Sequence, residues 1–576
     1  MARAYSRRHD RGLMSGALSS LSALERMKFE FSPEAAERKL ELLYRLSRAR
    51  LPNAKAVHRL HEALCFLHAY PDSEDVLLAV VGMLHFFDYR ADLRRFAKQL
   101  ADTGIAGTTI TYPFFAATAA RLADLWPEQL TICWDDETNA ELDRQLPLLS
   151  RWSESVAMDE LPLSTREWID AQKGPLVADG AYVTRRMQAV HKDPFVFEKV
   201  FESLGLWMTL HPTEETPSRT RDCAPPQGKV AFQCEPLRVT RPDVQKAIRQ
   251  RPKAIRRVDP ALGAGYLELA RDAMLTRQRD LDAFAYGDPR DVRIVDWEDG
   301  LQFVAIGLLP ERRLLLESVY AFLTLKNGVP IGYVLNSALF GSAEIAYNVF
   351  EAFRGGEAAW IYGRVLATVS ALFGADSFTI YPYQLGDDND EALQSGAWWF
   401  YQKLGFRPRG AEARRLMKRE LAAMEKRPRH RSSIATLRTL AAENMYWHEG
   451  KERDDVIGLL PLAEVGMAAV RALAHRNGSD RDGAERECAA VARQILGVRQ
   501  LRSLTKDEQL WLSRWAPIVC LLPGIETWGK KDRRALLDVI RKKASRSESD
   551  FVLAFDKHKL LRKAIAALAH GTATLR

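Results

Sequence analysis

The sequence lacks three features that would assign a protein to a defined class. No two of its six cysteines form a Cys-x-x-Cys pair or lie near histidines at zinc-ligand spacing. Its longest apolar run, Val76 to Phe87, falls well short of the roughly 20 residues that cross a bilayer. The basic N-terminus is not followed by an uninterrupted apolar segment or a small-residue cleavage site. We therefore predict reduced thiols, no metal site, no membrane association and a cytoplasmic location.

The length of the chain, 576 residues, is too great for one hydrophobic core, so several domains are expected. Helical spacing of apolar residues begins after Ser32-Pro33-Glu34, where serine is a predicted N-cap and proline takes the first helical position. The predicted parts are a basic mobile tail at 1–25, a mostly helical N-terminal domain at 26–285, a strand-containing domain at 286–420, a basic linker at 421–431 and a helical C-terminal domain at 432–576.

The formal charge of +8 is concentrated in one segment, Arg407 to Arg431. This segment holds ten lysines and arginines against the three acids Glu412, Glu420 and Glu425. Such a cluster suits contact with phosphate, in RNA, another polyanion or a nucleotide cofactor. The alternative is a solvated linker or helix face, which is the commoner role of a charge run.

A meander of antiparallel strands is predicted between residues 291 and 350. β-Branched and aromatic runs alternate there with Asp299-Gly300 and Asn327-Gly328, pairs that favour the left-handed turns of hairpins. The predicted strands are Val292–Asp296, Leu301–Leu308, Leu314–Lys326, Ile331–Phe340 and Ala343–Phe350.

The last of these strands continues through Glu351 into the pair Gly355-Gly356 and then into an apolar-periodic helix that stops at Gly374. Backbone N–H groups at such a helix start form an anion cradle. The alternative is an ordinary strand-to-helix connection in which glycine only relieves crowding. A further strand, Ser377–Tyr383, and a helix, Glu391–Leu404, are predicted to follow.

This order of elements resembles the GNAT (GCN5-related N-acetyltransferase) superfamily over about residues 290–420. Phe353-Arg354-Gly355-Gly356-Glu357-Ala358-Ala359 is similar to the family's pyrophosphate loop, Arg/Gln-x-x-Gly-x-Gly/Ala. Asn389 followed by Ala397-Trp-Trp-Phe-Tyr401-Gln-Lys403-Leu-Gly405-Phe406 is similar to its second cofactor motif. The resemblance implies an α+β fold in which a central GNAT-like mixed sheet carries helices on its faces and is flanked by mostly α-helical N- and C-terminal domains.

The resemblance also implies binding of acetyl-CoA or another acyl-CoA. The residues that match the cofactor motifs or adjoin them are Val349, Phe350, Arg354, Gly355, Gly356, Glu357, Ala358, Ala359, Asn389 and Lys403. In one register of the motif, Glu357 stands where the family has glycine. A carboxylate beside the phosphates costs affinity unless it points away or pairs with Arg354.

Acyl transfer to an amine needs a base, and Glu351 and Glu344 are the carboxylates of the predicted strand. They lie on opposite strand faces, and Glu351, nearer the loop, is the preferred candidate. Tyr401 matches the family's tyrosine that protonates the departing thiolate. The predicted function is therefore an acyl-CoA-dependent N-acyltransferase acting on an unidentified amine. The alternatives are an aminoacyl-tRNA-dependent transferase with the same core, or a degenerate GNAT-like binding or scaffold protein.

Overall fold

The protein was analysed as a computed structural model that describes residues 16–225 and 228–571. The chain divides into two compact units. The N-terminal unit comprises the chain up to Pro236 together with Gly265–Tyr286 and Lys326–Ile331. The C-terminal unit comprises Leu237–Ala264, Gly287–Leu325 and the chain from Gly332 onward. The five-part division predicted from the sequence stays a prediction.

The N-terminal unit is mostly helical and contains one small sheet. Its core gathers apolar residues of the sheet and of the surrounding helices, including Leu142, Ile169 and Met208. The strands β1 (Ile110–Tyr112), β2 (Leu130–Ile132) and β3 (Met208–Leu210) form an antiparallel sheet with β3 in the centre. The helices of this unit that precede Pro236 are α1 (16–27), α2 (Pro33–Arg48), α3 (Ala54–Ala69), α4 (Glu74–His85), α5 (Ala91–Phe96), α6 (Ala116–Leu125), α7 (Asp136–Leu149), α8 (Ser155–Glu160), α9 (Thr165–Lys173), α10 (Asp179–Val190) and α11 (Pro194–Ser203).

Two features at the start of the chain bear on the sequence predictions. The Ser32 side chain accepts a hydrogen bond from the Ala35 backbone N–H, so the predicted cap of α2 is confirmed. Within the predicted mobile tail, however, residues 16–25 belong to α1, where Leu21 and Leu24 are fully buried. The physical reason is the apolar i, i+3 spacing of these leucines, which gives the segment a face to bury. Residues 1–15 lie outside the described residues.

A mixed sheet of nine strands organises the C-terminal unit. Its spatial order is β11, β12, β10, β9, β8, β7, β6, β5, β4. β9 and β10 are parallel, whereas β12 runs antiparallel to both β10 and β11. The strands are β4 (Ala254–Arg257), β5 (Gly287–Asp296), β6 (Leu301–Leu308), β7 (Ser318–Lys326), β8 (Val329–Leu339), β9 (Ser342–Val349), β10 (Ser377–Ile380), β11 (Arg407–Pro408) and β12 (Met445–His448).

The predicted meander is confirmed, because β4 to β9 lie side by side in chain order. Asp299 and Gly300 have φ of 57° and 71°, and Asn327 and Gly328 have φ of 49° and 81°. Asn327-Gly328 is a two-residue turn of the kind that requires positive φ at both positions, whereas Asp299-Gly300 ends the longer loop between Asp296 and Leu301. The mixed α+β class predicted from the sequence is likewise confirmed.

The other helices in chain order are α12 (Val244–Ala247), α13 (Pro260–Leu275), α14 (Asp282–Ala285), α15 (Ala358–Phe373), α16 (Pro382–Leu385), α17 (Asp390–Ser395), α18 (Ala397–Lys403), α19 (Ala411–Lys426), α20 (Ile434–Ala441), α21 (Leu462–Asn477), α22 (Arg481–Leu496), α23 (Lys506–Leu521), α24 (Lys530–Lys543), α25 (Ser549–Lys557) and α26 (Lys559–Ala569). The single helix predicted over 391–404 is wrong, because Gly396, at φ 68°, ends α17. The predicted linker 421–431 begins inside α19. No helix in the described ranges has both the length and the apolar character needed to span a bilayer.

A buried ionic cluster fixes the C-terminal helices to the sheet within the C-terminal unit. Lys543 of α24 and Glu548 form an ion pair whose two side chains are completely buried. The Tyr320 hydroxyl of β7 donates to Asp291 of β5, and it accepts the backbone N–H of Ser549 at 3.0 Å. Removing one partner of such a group leaves a buried charge uncompensated. The stability of the C-terminal helices therefore depends on their contacts with the sheet.

Candidate active site

The candidate site lies where β9 is connected to β10 through α15. Ladder pairing between these parallel strands covers only Ser342–Glu344 with Ser377–Thr379. Residues 345–349 of β9 pair with β8 on one side, and no ladder partner on the β10 side is found for them in the part of the chain that the structure describes. This half of β9 therefore has an edge without a neighbouring strand in the described ranges, on which the Val349 carbonyl accepts a hydrogen bond from Arg354.

Helix α15 covers one face of the sheet next to this edge. The rings of Tyr362 in α15 and Tyr347 in β9 lie 5.3 Å apart, and the Tyr347 hydroxyl donates to the Ala358 carbonyl at 3.2 Å. Side chains alternate along a strand, and the register of β9 with β8 is regular. Glu344, three residues before Tyr347, therefore lies on the face opposite α15.

The loop between β9 and α15 differs from the prediction in one respect. The strand ends at Val349, and Phe350 is buried with its ring 6.1 Å from that of Tyr333. Glu351, predicted to be on the strand, begins a 3₁₀ turn over Glu351–Phe353 and is exposed to solvent. The turn forms because the backbone N–H groups of residues 353 and 354 bond back to the carbonyls of residues 350 and 351.

The two glycines of the loop remain accessible. Gly355 is exposed and has φ of 83°, a conformation that side-chain-bearing residues rarely adopt. A Cβ on Gly355 would meet no atom within 4 Å. At Gly356 the nearest atom to such a Cβ would be Cδ1 of Leu237, at 3.5 Å. The chain therefore leaves room for a ligand beside Gly355, while the segment after Pro236 approaches Gly356.

The start of α15 carries the acidic residue that departs from the family motif. Glu357 is the N-cap residue, its side chain is 3% exposed, and Oε1 accepts the backbone N–H of Arg238 at 3.2 Å. Arg354 forms an ion pair with Glu391 and donates to the Val349 carbonyl at 3.2 Å. The carboxylate is thus held inward at the helix start by a backbone amide. Ala358 and Ala359, the first residues of α15, are half-buried.

The residues of the second motif occupy three different environments. Asn389 is a cap: its side chain accepts the Ala392 N–H and donates to the Tyr383 carbonyl, both at 3.1 Å. Lys403 is exposed, and partial burial together with the charges of Arg241 and Arg431 lowers the pKa of its amine. The positive charges of Arg241 and Arg431 thus act on Lys403 at the end of α18, while both polar ends of Asn389 are used within the protein.

Tyr401 of the same motif is a core residue, 3% exposed. Its ring centroid lies 5.6 Å from that of Tyr362 and 5.9 Å from that of Phe406. Burial raises the pKa of the Tyr401 hydroxyl above its ordinary value, so the group stays protonated. The geometry thus gives Tyr401 a packing role and leaves its proposed acid role dependent on access to the thiolate.

Two partly buried carboxylates meet across the ends of neighbouring strands on the face opposite α15. Ser337 of β8 lies directly opposite Glu344 in the ladder, and its hydroxyl is 3.4 Å from Glu344 Oε2 and 3.3 Å from Glu317 Oε1. A hydroxyl has one proton, so it donates to only one of these carboxylates at a time. The second carboxylate then lacks that stabilisation.

This environment changes the acidity of Glu344. Burial is the main cause that raises the pKa of its carboxyl to about 7, and the neighbouring charge of Glu317 raises it further, against the lowering effect of Ser337. Burial also raises the pKa of Glu317. Tyr381, directly after β10, has its pKa raised by burial and then by these two carboxylates. A carboxyl with a pKa near neutrality can accept and return a proton at physiological pH.

Glu317, Ser337 and Tyr381 were missed by reasoning from the sequence. They come from three separate strand ends, and no spacing in the chain connects them. Ser337 carried a weak signal, since the predicted turn near Gly341 fixes its register opposite Glu344. Glu317 precedes β7 and carries no motif, so only the assembled sheet brings it to the site.

A metal site is not formed by the histidines of α3. His58 Nε2 lies 3.0 Å from the Arg219 guanidinium, and His61 Nε2 lies 2.9 Å from the Thr220 hydroxyl. A search of the described residues finds no group of three or more metal-ligating side chains. Both histidines bond protein groups within the N-terminal unit.

Comparison with models of protein families, with curated proteins and with solved structures finds no match to this chain. The chemistry of the site is therefore inferred from its own geometry. Its two parts are the protonatable carboxylate Glu344 on β9 and the glycine loop at the far end of the same strand. Gly355 follows Glu344 by eleven residues, of which the five up to Val349 are extended strand.

Proposed function

We propose that the protein transfers an acyl group from acyl-CoA, most simply acetyl-CoA, to an amine, with Glu344 as the general base. The observation that carries the proposal is the position of Glu344. It is a carboxyl with a pKa of about 7 at the point where β9 and β10 part. A base whose pKa lies near the working pH combines a useful ionised fraction with proton affinity.

The residues along β9 fit an acyl-CoA substrate. Five residues of strand from Glu344 to Val349 span about 17 Å, a length comparable to an extended pantetheine arm. The arm carries amide groups that can pair with the open edge of β9. Asn348 lies on the same strand face as Glu344, and its side-chain oxygen is buried without a hydrogen-bond partner among the described residues. This oxygen is a natural acceptor for an amide N–H of the arm.

The phosphates would lie at the other end of the strand. Gly355 leaves space there, and the first backbone N–H groups of α15 favour an anion. Lys403, whose amine experiences the positive charges of Arg241 and Arg431, is suited to a further phosphate. Glu357 opposes this binding, although its carboxylate is partly compensated by the Arg238 N–H.

The reaction requires a deprotonated amine. Its nitrogen attacks the thioester carbonyl carbon, the new C–N bond forms as the C–S bond breaks, and Glu344 accepts the proton lost from nitrogen. The thiolate that leaves takes up a proton, for which Tyr401 is the candidate donor by its resemblance to the family. Glu317 keeps the pKa of Glu344 high and so makes it a stronger base once ionised.

Calorimetry with acetyl-CoA tests binding, and transfer to a panel of amines tests the reaction. We expect heat of binding and thermal stabilisation for both the wild-type protein and Glu344→Gln, but transfer about 10²- to 10³-fold slower for Glu344→Gln. The absence of both binding heat and thermal stabilisation at millimolar acetyl-CoA would contradict the proposal. Activity that depends on aminoacyl-tRNA and is lost with RNA binding at high salt would instead favour a tRNA-dependent transferase.

A binding or scaffold protein is the second candidate function. It is favoured by Glu357, a buried carboxylate at a helix start where a phosphate would have to bind. This candidate predicts that Glu357→Gly creates acetyl-CoA binding in a protein that otherwise has none. Binding by the wild-type protein would reject it.

A further inference from the structure

Helix α19 presents a strongly cationic surface that the proposed acyl transfer does not use. We define the α19 surface as Arg415, Lys418, Arg419, Lys426 and Arg427. All five residues are exposed, and none of them forms an ion pair with another described residue. Arg415, Arg419 and Lys426 follow the i, i+4, i+11 spacing of one helix stripe.

The fold makes this surface more positive than the sequence suggests. Glu420 is 7% exposed and accepts hydrogen bonds from His430, at 2.9 Å, and Ser432, at 2.8 Å, so its carboxylate is held by the segment after α19, although its charge also acts on Arg419. Arg407 donates to backbone carbonyls, and Arg409 pairs with Asp454 and Glu452. Some cations of the segment, such as Arg407 and Arg409, thus bond other protein groups, whereas those of the α19 surface form no ion pair with a described residue.

A groove lies between α19 and α20, next to the α19 surface. Its volume is about 540 Å³, and Arg415 and Arg419 line it opposite Thr436 and Thr439. Glu412 is the one acidic residue among the described residues that line the groove. None of the groove residues is aromatic, so the groove offers no platform for base stacking. A ligand there would be recognised through charge and hydrogen bonding alone.

We propose that the α19 surface binds the phosphodiester backbone of a nucleic-acid duplex, independently of sequence. Guanidinium groups match phosphate oxygens in a two-pronged geometry. Arg415 and Lys426 are eleven residues apart on the helix, which corresponds to about 17 Å and spans several phosphates of one strand. An anionic membrane is a poorer match, because Leu421 is the one large apolar side chain of α19 that is exposed, at 37%.

Fluorescence anisotropy with labelled RNA and DNA duplexes of ~20 base pairs tests the proposal. Two unrelated sequences of each duplex are expected to bind equally, with a slope of log K against log salt of about −4.5 for five contacts. Arg415→Gln/Arg419→Gln should reduce the slope by about two and weaken binding about tenfold. Arg415→Lys/Arg419→Lys keeps the charge and should retain most of the affinity.

Lys530→Gln/Lys531→Gln is the matched control, since it removes two exposed cations from α24 of the same unit. An equal loss of affinity in this control would show that net charge, not the α19 surface, drives binding, and would overturn the proposal. Failure of both the RNA and the DNA duplexes to bind at 100 mM salt, or binding only to vesicles containing phosphatidylserine, would overturn it as well. A preference between the RNA and DNA duplexes identifies which source of phosphodiester is recognised.

Discussion

Glu344 and Glu351 lie seven residues apart and illustrate how different two carboxylates of one segment can be. Glu344 is half-buried within β9, beside Glu317, and the pKa of its carboxyl is raised to about 7. Glu351 lies beyond the end of the strand and is exposed. Sequence reasoning preferred Glu351 because of its nearness to the glycine loop. The geometry favours Glu344, because burial and a like charge give it the properties of a base.

The largest expected effect concerns this choice directly. Under the proposed function, Glu344→Gln should lower kcat/KM for amine acylation about 10²- to 10³-fold, because the amine loses its proton acceptor. Glu351→Gln is the matched control and should change the rate less than about twofold. Steady-state kinetics with acetyl-CoA measures both. The opposite ranking of the two variants would restore Glu351 as the base.

The second prediction concerns pH. Glu344 acts only when ionised, so kcat/KM should rise as pH increases through about 7, the raised pKa of its carboxyl. Glu317→Gln removes the neighbouring negative charge, so the rising limb should move to lower pH by about one unit. Glu311→Gln, at an exposed position, should leave the profile in place. If Glu317→Gln leaves the rising limb of the kcat/KM profile in place, a group other than Glu344 controls that limb.

The third prediction uses stability and does not depend on activity. The pKa of Glu344 is higher in the folded protein, about 7, than its ordinary value of 4.5. The folded state therefore binds more protons between these values, and the free energy of unfolding falls as pH rises through this window.

Glu344→Gln removes this effect. Relative to wild type it should be roughly 1 to 3 kcal/mol more stable at pH 8 and about equally stable at pH 4, where both forms are neutral. Calorimetric melting at the two pH values measures the difference. Glu351→Gln, an exposed substitution, should change the melting temperature little at either pH. A pH-independent difference for Glu344→Gln would contradict a raised pKa.

The smallest expected effect lies at the far end of β9. Glu357→Ala removes a carboxylate from the start of α15 and should tighten acetyl-CoA binding about threefold. The Arg238 N–H loses its acceptor, so a stability loss of about 1 kcal/mol should accompany the gain. Glu391→Ala, which frees Arg354, is a control for general charge effects. If Glu357→Ala leaves the affinity for acetyl-CoA unchanged, the phosphates do not bind at the start of α15.

Local features of the chain were predictable because local chemistry decides them. The Ser32 cap follows from a hydroxyl next to proline, and the turns at Asp299-Gly300 and Asn327-Gly328 follow from residues that tolerate positive φ. The mixed α+β class followed from the change of hydrophobic period along the chain. Gly396 was overlooked as a break because helical periodicity continues through it.

The sequence by itself determined the strands of the meander, the glycine loop and the cationic segment. Only the tertiary structure decided which carboxylate is buried and which cations remain unpaired. The register of β8 with β9 places Ser337 opposite Glu344, and the Ser337 hydroxyl also contacts Glu317. The Glu420 carboxylate bonds His430 and Ser432, which follow α19. Burial and charge proximity depend on distances between residues remote in the chain, so no local pattern encodes them.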